Sequence, residues 1–252
     1  MQLFLDRGNS SVKWGAWQDG WQAGGRLPLD AEGHVAAAAL AELPAAHSIW
    51  LASVARDERD AALVEQLESA RELQVQRIVT EAEAAGVRCA YAEPWRLGVD
   101  RWLAVIAAYE PGSPAVVVDA GTAITIDAVS GDGRHLGGLI APGIGLMRSS
   151  LYANTDRIPD EDDALDEGSG DLLGRETRSA VSSGTLHAAA GLVDRVVARL
   201  AAADPATRLL ITGGDAERLQ AHLDHAMEFH PRLVLDGMRR IAEAREEERR
   251  TG

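Results

Sequence analysis

The chain has 252 residues, 46% of them hydrophobic and 25% charged, a size and balance suited to a soluble globular protein of one large domain or two small ones. Its formal net charge of −14 argues against general affinity for nucleic-acid phosphates or an anionic membrane surface, so a phosphorylated ligand would need a local site set against a repulsive field. Cys89 is the only cysteine, which excludes an intrachain disulfide and fits a reducing, cytoplasmic setting.

Asp6 interrupts the opening apolar residues, so no leader is expected there, and no apolar run approaches the length of a membrane span. Residues 3–5 and 12–17 read as two short strands joined by a polar turn. A helical stretch is expected over 31–43, a buried strand over 48–54, and an amphipathic helix over 57–70 with Ala61, Leu63, Val64 and Leu67 as its apolar set. Residues 73–80 read as a strand and 101–110 as a largely apolar helix, followed by the best linker candidate, 111–115.

The opening pattern then recurs. Residues 116–129 again run through three apolar residues, an aspartate, a glycine and a small polar residue into a continuing strand, so Asp6 and Asp119 occupy the same place in two hairpins. A repeat at this separation indicates a duplicated domain. A glycine-rich strand and turn follow at 137–147, an acidic loop at 159–171, helices at 177–187 and 188–203, and a buried strand, Gly-Gly turn and helix at 208–219. His222, His225 and His230 read as a solvated helix face, and residues 243–252 as a solvated helix end. The expected architecture is α/β, with domains at 1–114 and 115–252 and a cleft between them.

A strand that ends in Asp-x-Gly places a carboxylate where α/β sheets present ligands. The glycine permits a tight turn whose amides could face an anion, and Asn9, Ser10, Ser11 and Thr122 could donate to phosphate oxygens. The same residues also suit plain hairpin turns, though less readily twice in equivalent positions. Lys13 is the only lysine in the chain, either a solvated strand-edge charge or a point charge for terminal phosphate oxygens. Asp100 either caps the helix after it or accepts a proton from a substrate hydroxyl beside Arg101. Asp215, after the glycines at 213 and 214, reads as part of a third ligand loop or as an N-cap.

The two Asp-Gly hairpins and the late Gly-Gly loop resemble the acetate and sugar kinase, Hsp70 and actin superfamily, which implies two ribonuclease H-like (actin-like ATPase) domains with a nucleotide cleft between them. Within it, DRGNSSVK (6–13), RLGVDRW (96–102), DAGTAITID (119–127), GGLIAPGIGLM (137–147) and TGGDA (212–216), taken in order, resemble type III pantothenate kinase, a family overlapping the Bvg accessory factors. The similarity runs from residue 3 to about residue 237.

That resemblance implies ATP-dependent phosphorylation of pantothenate, at the start of coenzyme A synthesis, by a homodimer. It implies an ATP and phosphate loop of Asp6, Arg7, Gly8, Asn9, Ser10, Ser11, Val12 and Lys13, with Asp6 holding Mg²⁺ through water and Thr122 contacting ATP. Tyr91, Gly98, Val99, Asp100 and Arg101 would form the pantothenate site, with Asp100 as general base and Arg101 on the carboxylate. Asp119 would hold K⁺ or NH₄⁺, and Thr177 would contact substrate across the dimer interface. Arg7 departs from the small or apolar residue usual in the family and is expected to face outward. Another hydroxyl compound or a carboxylate as acceptor, with Arg101 and Tyr91 favouring a small acidic one, or a non-catalytic regulator with an eroded phosphate loop, are the competing readings. The intact set of Asp6, Lys13, Asp100 and Asp119 disfavours the regulator.

Overall fold

The computed structural model describes residues 1–8, 10–54, 58–154 and 172–251. In chain order the elements are β1 (Gln2–Arg7), β2 (Ser11–Trp17), β3 (Trp21–Pro28), α1 (Ala37–Ala41), β4 (Ser48–Ser53), α2 (Glu58–Arg71), β5 (Val75–Ile78), the hairpin β6 (Glu83–Ala84) and β7 (Val87–Arg88), and α3 (Val99–Ala108). Then come β8 (Ala115–Ala120), β9 (Ala123–Val129), β10 (His135–Pro142), α4 (Ile144–Asn154), α5 (Thr177–Ala201), β11 (Arg208–Thr212), α6 (Ala216–Gln220), β12 (Glu228–Phe229) and α7 (Leu233–Thr251).

The duplication inferred from the two Asp-Gly hairpins is borne out strand for strand. One five-stranded sheet has the order β3-β2-β1-β4-β5 and the other β10-β9-β8-β11-β12. In each, the central strand pairs antiparallel with the strand after it and parallel with a later one. β1 and β8 show the same burial along their length, with only the aspartate half-exposed. Helices on both faces of a sheet require such near-continuous apolar strands, and charge is tolerated only at their ends.

The two compact units divide differently from the expected 1–114 and 115–252. Met1–Ala108 groups with Arg232–Gly252, and Tyr109–Pro231 forms the second unit. The cause is α7, which packs on α3, β1 and β4. Its Arg239 guanidinium stacks 4.7 Å from the Trp17 ring centroid, Arg232 lies over Trp21 and Arg245 over Trp50. Trp21 Nε1 donates to Asp236 at 2.9 Å, and Arg240 donates to the carbonyl of Ile106 in the last turn of α3, which lacks an intrahelical partner. Residues 111–115 are not a free linker: Ala115 opens β8, and Pro114 O accepts Arg208 N at 2.9 Å.

In the first unit, Leu3 and Leu5 face Leu40, Leu63 and Leu67 of α1 and α2, while Phe4 and Trp50 lie on the α3 and α7 side. In the second, Val116, Val118 and Ala120 pack against Ala189, Ala190, Val193 and Val197 of α5. α5 is one continuous helix, where helices at 177–187 and 188–203 were expected; burial of that apolar stripe outweighs the roughly 1 kcal/mol that each of Gly184 and Gly191 costs. The helix expected over 31–43 shrinks to α1, because Asp30 accepts the amides of Glu32 and His34 and turns the chain instead. β3, α4 and β12 were not foreseen.

α7 crosses α3 at backbone distance: a Cβ on Gly237 would lie 2.0 Å from Leu103 O. Gly237→Ala is therefore expected to destabilise the first unit by about 1–3 kcal/mol. All six tryptophans lie in that unit, so the loss should show as a lower urea midpoint followed by tryptophan fluorescence. An unchanged midpoint would refute the tight crossing.

Candidate active site

In the first unit, β1 delivers Asp6 to the sheet's carboxyl end, half-buried on the α3 and α7 side. Lys13 is its direct antiparallel partner, so ammonium and carboxylate share one face. β2 runs between β1 and β3, so Lys13 is no strand-edge charge; Arg26 flanks it on the other side. Gly8 N donates to Ser11 O at 3.0 Å and closes the turn, so this amide is engaged within the loop instead of facing an anion. Ser10 is exposed, Ser11 Oγ accepts from Arg26 at 3.1 Å, and Val12 is buried in the core. Asn9 lies outside the described residues.

Arg7 corrects an expectation. It does not face outward but is only 2% exposed, and its Nη1 donates to Asp60 Oδ1 at 3.0 Å. Strand alternation puts it with Leu3 and Leu5, on the face opposite Asp6.

The Gly-x-Asp-Arg segment opens α3. Thr80 Oγ1, buried after β5, donates to Leu97 O at 2.9 Å and fixes the approach to the helix. Gly98 O accepts the first helical bond, from Trp102 N. Every residue of α3 is buried except Asp100. The Asp100 carboxylate folds back to accept Arg101 N at 2.8 Å, so it does satisfy a first-turn amide, though from within the helix. A Cβ on Gly98 would sit 2.6 Å from Asp100 Oδ1, so glycine leaves the carboxylate its place. Arg101 is 6% exposed, donates Nη1 to Tyr91 Oη at 3.2 Å and lies 6.0 Å from that ring's centroid. A cavity of about 590 Å³, within the range of small-molecule pockets, opens beside this segment, walled in part by Trp95, Gly98, Val99, Asp60 and Arg77.

In the second unit three motifs meet at the end of β8. Asp119 pairs across the sheet with Thr125 on one side and Thr212 on the other. Gly121 N turns back to Ala123 O at 3.1 Å, and Thr122 is exposed at the tip. Gly143 seats on this turn: its amide donates to Thr122 O, and a Cβ there would lie 2.1 Å from Gly121 O. Gly213, at φ +99°, crosses Ala120 so closely that a Cβ would meet Ala120 O at 2.3 Å. Asp215 occupies the N-cap position of α6 without capping it, and pairs with Arg218 at 2.9 Å.

Thr177 is the exposed first residue of α5, beside an apolar groove of about 630 Å³ between α4 and α5. The acidic loop 159–171 lies outside the described residues. The three late histidines share no helix face. His225 binds Asp194, His230 meets Glu228, and His222 packs edge-on against His187, with its pKa lowered by burial and then by that neighbour. Among the described residues, no three His, Cys, Asp or Glu side chains gather as a metal site, and no helix is long and apolar enough to cross a membrane. Asp60 escaped the sequence reading, since nothing local marks a helical aspartate as the partner of Arg7.

Two α/β units of this topology, each with a carboxylate at the end of its central strand, define the fold of the actin-like ATPases and sugar kinases. MreB5 of Spiroplasma citri superimposes at a TM-score of 0.51 with 10% identity, covering 100% of this chain and 98% of its own. A Baf family protein from Campylobacter jejuni reaches 0.61 with 26% identity over 97% of this chain and 99% of its own. Residues 2–199 match the family described as type III pantothenate kinase. Proteins of that name from Thiobacillus denitrificans and Halorhodospira halophila are 40% and 39% identical, over 96% and 94% of this chain and 97% and 96% of theirs. The chain belongs to the type III pantothenate kinase family.

Because Gly98 leaves room for the Asp100 carboxylate, Gly98→Ala should displace it while leaving the buried face of α3 intact. Turnover is expected to fall roughly tenfold or more, with an unchanged unfolding midpoint. Wild-type turnover in this variant would show that the carboxylate's position is immaterial.

Proposed function

We propose that this chain transfers the γ-phosphoryl group of ATP to the primary hydroxyl of pantothenate, opening coenzyme A synthesis, with Asp100 as general base. The observation that carries this reading is the exposure pattern of α3, an otherwise buried helix that leaves one carboxylate accessible beside a buried arginine held by Tyr91. Arg101 binds the pantothenate carboxylate, and Tyr91, held to it by a hydrogen bond, lines the place of the substrate's body. The bond from the γ-phosphorus to the β–γ bridging oxygen breaks as the substrate oxygen bonds to phosphorus. ADP leaves, and the hydroxyl proton passes to Asp100 late, because a loose transition state needs little activation of the nucleophile.

Lys13, directly across the strand from Asp6, meets terminal phosphate oxygens as a point charge, with Ser10 and Ser11 donating nearby. A single half-buried carboxylate suits Mg²⁺ that keeps most of its waters, so Asp6 holds the ion through water. That ion would neutralise phosphate charge. Asp119, at the equivalent strand end of the second unit, holds K⁺ or NH₄⁺, and Thr122 contacts ATP. Thr177 serves the site of a second copy in a homodimer, a reading supported by its exposure, the α4–α5 groove and the exposed Leu146 and Leu151 on α4.

Asp100→Asn should keep ATP and pantothenate binding but lose about 10²–10⁴-fold in kcat. Turnover like the wild type's would remove the base assignment. Lys13→Arg should raise KM for ATP more than an exchange at an exposed arginine does. Pantothenate-dependent ATP consumption, measured with K⁺, NH₄⁺ or Na⁺ alone, tests both substrate and cation: activity should need K⁺ or NH₄⁺. Equal rates in Na⁺ would refute the role of Asp119, and no turnover in any salt would refute the kinase reading.

A further inference from the structure

The first unit contains a charged cluster that the proposed chemistry does not use. Arg7 lies between Asp6 and Gly8, with its side chain on the opposite face from Asp6. Its Nη1 meets Asp60 Oδ1 at 3.0 Å with both side chains buried, at 2% and 5% exposure, and Asp60 Oδ2 accepts Arg77 Nη1 at 2.7 Å. Asp60 is on α2 and Arg77 on β5, and β4 pairs along β1 as far as Arg7↔Ser53. Three elements therefore converge on the residue between the strand-end aspartate and the glycine of the turn.

Stability alone does not account for this cluster. A buried ion pair adds little net stability, because desolvation of both charges offsets their attraction, and well-packed apolar side chains often serve as well. Leu3 and Leu5 precede Arg7 on the same face, so a third apolar residue would continue the pattern. Unlike an apolar contact, a hydrogen-bonded pair of fixed geometry sets the direction of the strand's last residue.

We infer that Arg7, Asp60 and Arg77 are positioning residues for the phosphate loop: the pair locks the end of β1 from behind and so aims Asp6 and the turn at the nucleotide. This rests on the nucleotide-binding reading of Asp6 to Lys13. The cluster acts on ATP and not on the acceptor, although Asp60 and Arg77 also reach the cavity beside Gly98.

The test is the double variant Arg7→Met/Asp60→Leu, which replaces the pair with apolar side chains of similar size, together with Arg7→Lys as the conservative variant. The double variant is expected to unfold near the wild-type midpoint yet to show roughly tenfold higher KM for ATP, with kcat and KM for pantothenate little changed, as displacement of a binding group predicts. Arg7→Lys should recover most of the loss. A wild-type KM for ATP in the double variant, or a rise confined to KM for pantothenate, would overturn the inference. Should the double variant not fold, Arg77→Met decides: Arg77 is half exposed, its loss should spare the fold, and it should raise KM for ATP roughly threefold, while no change would overturn the inference. Affinity for a non-hydrolysable ATP analogue, measured by calorimetry on the same proteins, separates the two proposals. A wild type that binds the analogue but ignores pantothenate sinks the kinase reading, while the positioning role is still read from the variants' affinities.

Discussion

A strand packed on both faces has almost nowhere to carry a charge, and this constraint shapes both units. In β1 and β8 four buried residues precede an aspartate, and only there does the strand regain partial exposure. The carboxylate can then face a ligand while the strand beneath it is held rigidly by neighbours on both sides. The hairpin that follows, the cross-strand partner at Lys13 or Thr125, and the loops that close on the strand end all take their positions from it.

The two units hold that strand end in place by different means. In the second unit it is steric: Gly143 and Gly213 let two further loops lie against the turn and Ala120, where any side chain would collide with backbone. In the first unit it is electrostatic, through Arg7 and its aspartate on α2. The sheets have kept their topology while the supports around them diverged, and the hairpin register differs by one residue, Asp6 pairing seven positions on with Lys13 and Asp119 six positions on with Thr125. The partners of the two aspartates diverged as well, a cation facing Asp6 and a neutral hydroxyl facing Asp119.

Much of this could be read from the chain itself, for local reasons. Three apolar residues followed by Asp-x-Gly mark a buried strand and its turn within a few positions, so the duplication, the paired sheets and the order of motifs were visible. The orientation of Arg7 was misjudged because its charge weighed more than its place in the alternation; two residues beyond Leu5 is the core side. The helix expected over 31–43 failed on a side-chain turn at Asp30, which competes with helix formation but is invisible to periodicity. α7 was misassigned to the second unit because proximity in sequence is a poor guide when arginine–tryptophan stacking links positions about two hundred residues apart. Asp60 could not have been found at all without the tertiary contact.

The membership of α7 has a bearing on how the protein is made. The second unit is one continuous stretch, Tyr109–Pro231, and every strand of its sheet has been synthesised before α7 is. The first unit has its whole sheet early, yet Trp17, Trp21 and Trp50 wait for arginines more than 180 residues downstream. Domains generally fold as units, in the order in which they emerge. Here the order of completion inverts the order of the sequence: the inserted unit has all of its residues by Pro231, whereas the unit that began first lacks its last helix, and the cover of its tryptophans, until α7 is made.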